Sequence, residues 1–340
     1  MATPSGQISA NDIRNEFGPS DNNGEKMQLG SYRKSQTVGG LSNLPLDTGI
    51  PQSGQISFND MRNKRLNIIV NYHTGGDGED RQNARSRYTD NNVTVIGGVR
   101  GRPGESAGTK VRIHVNKSIS GTRTSNHNCA LRTGNGWDLD TDMFIDVGSN
   151  GKIYGAGGNG GAGGDGSGAG GDGGWGTNAL GIEYNGGGEA VTVNVMSGGL
   201  ISCGYGGGGG GSGDHQSDKG EERHAVGGGG GGGAGSPRGN GGDQGEGGSG
   251  GQDGGNGTDQ AGGNGGNGGN NHNQAYGGRG GDGGDKDGNA QDGQNRDSDG
   301  GEAGQNGHAI RGSGDVSSSN VHIVNNGTIR GGYQWNSTVN

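Results

Sequence analysis

Residues 155–165 read GAGGNGGAGGD and residues 262–270 read GGNGGNGGN, and the fold turns on what a chain of this texture does. Ala156, Asn159, Ala162 and Asp165 are each separated by two glycines, as are Asn264, Asn267 and Asn270, and again Arg279, Asp282 and Asp285. A period of three is that of the polyproline II helix, which makes no internal backbone hydrogen bonds. Its amides and carbonyls must then find partners on neighbouring segments. When such helices lie side by side, inward glycines let the backbones approach and every third residue points to solvent. Cohesion then comes from backbone pairing rather than from apolar burial.

Rival readings of the tracts fail on particular residues. Collagen needs glycine at every third position with abundant proline, yet Pro237 is the only proline between Gly204 and Gly307. Calcium-binding nonapeptide repeats need a large aliphatic residue in each repeat, and residues 155–174 offer only alanine. A flexible linker has no use for the period of three, or for Trp175, Tyr205 and Tyr276.

Working outward, short β-branched alternations precede the tracts and follow them. VRIHVNKSISG from Val111, MFIDVGSNGKIYG from Met143, VTVNVMSGGLISCG from Val191 and VHIVNNGTIRGG from Val321 each read as strand, tight turn, strand. In the last, Asn325, Asn326 and Gly327 are expected to supply positive φ, with Val321, Ile323 and Ile329 facing a shared interior. Short apolar leads stand at 129–131, 178–180 and 308–310. Such units cannot bury an apolar face singly, so stacking into a layer is expected. The fold class is therefore mostly β and irregular: repeated short β-hairpins in a solenoid-like layer, with packed polyglycine II helices. Two short capped helices are expected at the N-terminus.

Those helices come from a duplication. Residues 5–15 read SGQISANDIRN and residues 53–63 read SGQISFNDMRN, nine identities in eleven. Ser9 and Ser57 can each cap a helix, with Asp12 and Asp60 three residues later closing a capping box. Ile8 with Ile13, and Ile56 with Met61, stand at the staple positions that fix the entry of the chain into a helix. The expected organisation is a duplicated module at 1–66, a strand region at 67–154 and a glycine-rich region at 155–340.

Composition bounds the function. The chain has 92 glycines in 340 residues and is only 23% hydrophobic, too little for the apolar core usual at this length. A net charge of −9 argues against nucleic acid as a partner. The N-terminus shows no secretory signal, and no run approaches a membrane span. Cys129 and Cys203 read as separate thiols or as one bridge. GxGxxG occurs without the strand and helix that a dinucleotide site needs, and no GK[ST] is present. Asp138, Asp140 and Asp142 alternate as in a calcium loop, but Met143 replaces its glycine and Ser149 its glutamate. No catalytic constellation, metal site or cofactor is expected, although a glycan-cleaving carboxylate pair needs no local spacing.

Two resemblances bear on function. SGQISANDIRNEFG, then MQLGSYR, then LPLDTGIPQSGQISFNDMRNKRLNIIVNYH resembles the N-terminal module of structural proteins in tailed phages, especially phages of marine cyanobacteria. That likeness implies that Ile8, Ser9, Asp12, Ile13, Ile56, Ser57, Asp60 and Met61 dock the chain onto other virion proteins of the fibre or baseplate. The strand-to-glycine organisation over about residues 140–340 resembles the tail-fibre tip adhesins of T-even-type phages. It implies a sandwich of polyglycine II helices whose loops contact the host. The breaks in glycine at 214–226, 236–240, 270–276 and 286–299 then supply contact candidates: His215, Lys219, Glu222, Arg223, His272, Tyr276, Lys286 and Arg296. The function implied is a non-enzymatic fibre or adhesin on the virion exterior, as a possible homotrimer, binding a surface glycan or outer-membrane protein. A head or tail decoration protein without receptor binding is the alternative, and a glycan-degrading tailspike is a more distant one.

Overall fold

The computed structural model describes residues 3–17, 29, 50–51, 53–64, 67–72, 79–80, 82–84, 93–95, 110–135, 137, 142–183, 191–218, 220–271 and 274–339. Its strands come in successive passes of three. The first pass is β1 (Asn67–Tyr72), β2 (Glu79–Asp80) and β3 (Gln82–Asn83), followed by β4 (Val93–Val95), which pairs antiparallel with β1. The second is β5 (Lys110–Val115), β6 (Ser118–Ser120) and β7 (Cys129–Arg132), and the third is β8 (Asp142–Val147), β9 (Lys152–Tyr154) and β10 (Asn178–Ile182). The fourth starts with β11 (Val191–Val195) and β12 (Leu200–Ser202), is interrupted by two small hairpins, β13 (Asp214–Asp218) with β14 (Glu221–Ala225) and β15 (Asn270–Asn271) with β16 (Ala275–Tyr276), and closes with β17 (His308–Ser313). A fifth pass, β18 (Val321–Asn325), β19 (Thr328–Arg330) and β20 (Gly332–Ser337), ends the chain.

Each pass gives one strand to each of three sheets. Their orders are β18-β11-β8-β5-β1-β4, β19-β12-β9-β6-β2 and β20-β17-β10-β7-β3, with all neighbours parallel except β4. The paired segments expected to be hairpins are therefore not hairpins. Their two halves lie in different sheets, and each pairs with its counterpart in the next repeat. The apolar leads at 129–131, 178–180 and 308–310 form the third sheet. Parallel pairing sets like residues over like: Val111, Met143, Ile113, Ile145, Val193, Val115, Val147 and Val195 occupy facing register positions and are buried. Ile119, Ile153 and Ile201 form a second such ladder, and Leu131, Leu180 and Ile310 a third. Burying each such side chain contributes roughly 1.5–3 kcal/mol. A strand needs only alternate apolar residues for this, which is how a chain so poor in them still builds a core.

The turn between the first two strands of the last pass departs from expectation, whereas that of the fourth has Gly198 at φ +89. None of Asn325, Asn326 and Gly327 takes a positive φ. Glycine is required there by proximity: a Cβ on Gly327 would lie 2.3 Å from the Met196 carbonyl oxygen, and one on Gly151 would lie 2.2 Å from that of Val115.

At the N-terminus α1 spans Ala10–Phe17, and the Asp12 carboxylate accepts from both Ser9 N (2.7 Å) and Ser9 Oγ (2.6 Å). The second copy has the same capping box between Ser57 and Asp60, but it forms a four-residue 3-10 turn, Phe58–Met61, instead of an α-helix. Arg62 is already extended and Asn63 sits at φ 52, so the helix cannot continue. Ile13 and Met61 are fully buried in the cluster that holds Val70 and Tyr72, and Ile8 and Ile56 pack partly buried against it. Thr3 N to Lys64 O (2.9 Å) and Asn63 N to Pro4 O (3.1 Å) tie the copies together.

The glycine tracts are excursions between the second and third strands of the third and fourth passes. Within them Gly158, Gly161 and Gly164 donate to Tyr205, Gly208 and Gly211 (2.8, 2.9 and 2.8 Å). Gly157, Gly160 and Gly163 donate in another direction, to Pro237, Asn240 and Asp243 (2.9, 2.8 and 2.8 Å). Gly174 and Gly171 come back on a third side to Asn159 and Ala162 (2.7 and 2.8 Å). One run thus bonds three neighbours, each at every third residue, which is the lateral bonding of packed three-fold glycine helices. Cys203, Tyr205 and Ala234 form a small apolar cluster where the sandwich begins, and Cys129 and Cys203 are buried thiols not joined in a disulfide.

Candidate functional site

Because the runs go out and back, their connections gather at two ends. One end lies against the sheets. There Ser236 Oγ lies 2.8 Å from Ser120 Oγ, Arg123 Nη2 donates to Arg238 O (3.0 Å) and Arg330 Nη1 to Gln260 Oε1 (3.5 Å). The turn at 285–288 belongs to this end, since Gly284 bonds Gly206 and Ala234 beside Tyr205.

The far end carries the turn at 165–168, both small hairpins, and the turns at 246–250 and 295–299. Polar side chains lock them to one another. Asp214, only 7% exposed, accepts from Tyr276 N through Oδ2 (2.5 Å), joining the first hairpin to the second. His215 N donates to Asp297 Oδ2 (2.7 Å) and Arg296 N to Ser212 Oγ (2.7 Å), bringing in the turn at 295–299. Asn271 Nδ2 donates to His224 O (3.2 Å), Ser249 Oγ to Asn270 O (3.2 Å), and Glu246 N to the Asp165 carboxylate. The surface so formed presents Tyr276, 40% exposed, the Arg223–Glu221 ion pair (2.8 Å), and His215 stacked on His224 with ring centroids 4.6 Å apart. An aromatic ring, mixed charge and fixed amides suit a polar surface ligand.

Of the contact candidates, His215, Glu222, Arg223, Tyr276 and Arg296 lie at this far end. Lys286 does not: it is in the 285–288 turn at the sheet end, ion-paired with Asp287. The break at 236–240 begins at the sheet end as well. Lys219 and His272 lie outside the described residues, as do Asp138 and Asp140. Of the residues that brace the end, Asp214, Asn271 and Asp297 fell within the expected loops without being singled out, and Ser249 was missed. Segment 214–225 is a hairpin without alternating apolar residues, so only Gly220, at φ +83, carried a turn signal. Of the docking candidates, Ser9, Asp12, Ser57 and Asp60 are accessible, whereas Ile13 and Met61 are wholly interior.

The family model described as "Phage tail fibre adhesin Gp38" matches residues 86–334. No curated protein matches the chain. Among solved structures, the gp37-gp38 adhesin tip complex of the bacteriophage S16 long tail fiber matches over 84% of this chain and 90% of that one. The identity is 20% and the TM-score 0.38.

Proposed function

This chain belongs to the phage tail fibre adhesin Gp38 family, and we propose that it binds the host through the far end of its glycine sandwich and joins the fibre through its N-terminal duplication. The observation that carries the first half is the convergence of five separate connections on one rigid surface remote from the sheets. A loop held by side-chain bonds to its neighbours loses little entropy when it binds, which favours recognition there. The ligand class that fits is a glycan or a polar outer-membrane protein surface, recognised by binding without bond cleavage.

The test is a pair of loop exchanges in the phage. Replacing 214–225 and 270–276 by short glycine-rich turns should abolish adsorption while the particles still carry the protein. Exchanging the sheet-end turn 258–261 should leave adsorption unchanged. Equal adsorption by both variants would remove the assignment.

For docking, burial of Ile13 and Met61 implies that they shape the module, while Phe58, 38% exposed, and the accessible caps meet the partner. Phe58→Glu should leave the melting temperature within about a degree of wild type, as for surface substitutions generally, and should reduce incorporation into virions. Wild-type incorporation would rule this surface out.

A further inference from the structure

We infer that His215, Glu222 and His224 form a binding site for a transition-metal dication of the zinc type, which clamps the β13–β14 hairpin. His215 and His224 are direct cross-strand partners in that hairpin. Glu222 precedes His224 by two residues and so shares its face, because side chains alternate along a strand. The register thus gathers two imidazoles and one carboxylate on one face, and their ligand atoms all lie within 4.8 Å of one another. Zinc–ligand bonds of about 2.0–2.2 Å place two ligands of a tetrahedral ion roughly 3.3–3.5 Å apart. To reach that geometry the two stacked imidazoles turn their ring edges toward a common point, and the exposed Glu222 follows.

A second observation points the same way. His215 Nε2 is shut off from solvent and has no hydrogen-bond partner among the described residues. Leaving a buried polar atom unpaired is unfavourable, and a cation at the edge of the ring, in line with the nitrogen lone pair, relieves it. An ordinary ion pair between His224 and Glu222, at 4.0 Å, leaves His215 unexplained.

The backbone is already fixed on both sides by Asp297 and Asn271, so binding orders little more. Gly166 makes room for the ring: it sits at φ +46, and a Cβ there would lie 3.0 Å from His224 Nδ1. Nitrogen-rich ligands select a zinc-like ion over calcium or magnesium, which take oxygen. Two imidazoles and one carboxylate leave a fourth position for water. Neither cysteine competes for the ion: both are buried, and burial pushes the Cys203 thiol up to about 12.

Because the ion is read out directly, the experiment is independent of host binding. Full-length protein, freed of metal, is titrated with zinc chloride by calorimetry, alongside His215→Asn/His224→Asn and Asp218→Asn variants. One zinc ion per chain is expected for wild type and for Asp218→Asn, and none for the double variant. X-ray absorption should show nitrogen and oxygen ligands without sulfur, and excess calcium should not displace the ion. The thermal midpoint of each metal-free variant establishes that it is folded. Absence of stoichiometric uptake by wild type, equal uptake by the folded double variant, or displacement by calcium would each overturn the assignment.

Discussion

A single glycine in the sandwich has almost no latitude. Gly266 N bonds Gly229 O at 2.7 Å, and a Cβ on Gly266 would lie 2.0 Å from the Gln252 carbonyl oxygen. Next to it Asn267 is exposed, its amide donating to Gln252 Oε1 at 3.0 Å on the surface. Gly266→Val must push the neighbouring run away and strand at least one amide and one carbonyl, each costing roughly 1–3 kcal/mol. Asn267→Ala removes only solvated atoms. Thermal unfolding should therefore show a large drop for the valine variant and a midpoint near wild type for the alanine one. Equal midpoints would mean that the runs are not packed in this way. The period of three, and hence which residues face outward, was legible because asparagine and aspartate mark it. Which run lies beside which was not, because a glycine carries no side chain by which one neighbour is distinguished from another.

At the scale of elements, the strands are joined across the first sheet by one buried carboxylate. Asp146 on β8 meets Arg112 Nη1 on β5 (3.1 Å), His114 Nε2 on β5 (3.3 Å) and Asn194 Nδ2 on β11 (2.6 Å). Burial pushes its pKa up, but the close contact with His114, the Arg112 charge and the hydrogen bond from Asn194 outweigh this and hold it below the ordinary 3.8. With the folded value depressed, the carboxylate contributes stability that is fully present above the unfolded pKa and is lost as pH falls through the folded one. The melting temperature of wild type should fall steeply below about pH 4. Asp146→Asn should be destabilised at neutral pH by about 3–5 kcal/mol, since Arg112 keeps a largely buried charge without its partner, and should lose that acid-dependent component. An unchanged acid slope in the variant would assign the slope to other groups. The strands themselves were legible from alternation, and the capping boxes from Ser-x-x-Asp. Their connection was misread because an Asn-Gly turn signal is local, whereas the parallel partner of each strand lies tens of residues away. The far-end site was legible in part for the same reason: breaks in glycine marked His215 and Tyr276, but the out-and-back path that sends Lys286 to the opposite end depends on counting runs in space.

For the whole molecule, the three-sided apolar stack and the glycine sandwich are stabilised differently, and calorimetry can tell how much each contributes. Exposure of apolar surface raises the heat capacity on unfolding and exposure of polar surface lowers it, giving about 12–15 cal/mol/K per residue in ordinary globular proteins. Here the apolar ladders are confined to the sheets, while the sandwich, rich in the 92 glycines, releases mainly amides and carbonyls when it opens. The heat capacity change per residue should therefore fall clearly below about 12 cal/mol/K. A smaller change flattens the stability curve, so stability should vary less with temperature than in an apolar-core protein of the same length. The two parts should also melt together, because the sandwich leaves and re-enters the sheets within single passes and is bonded to them through Ser120, Gly121, Arg123 and Arg330. A single calorimetric transition with a low heat capacity change is the expected result. An ordinary value per residue would instead mean that apolar burial holds the molecule together, and two separate transitions would mean that the sandwich stands without its sheets.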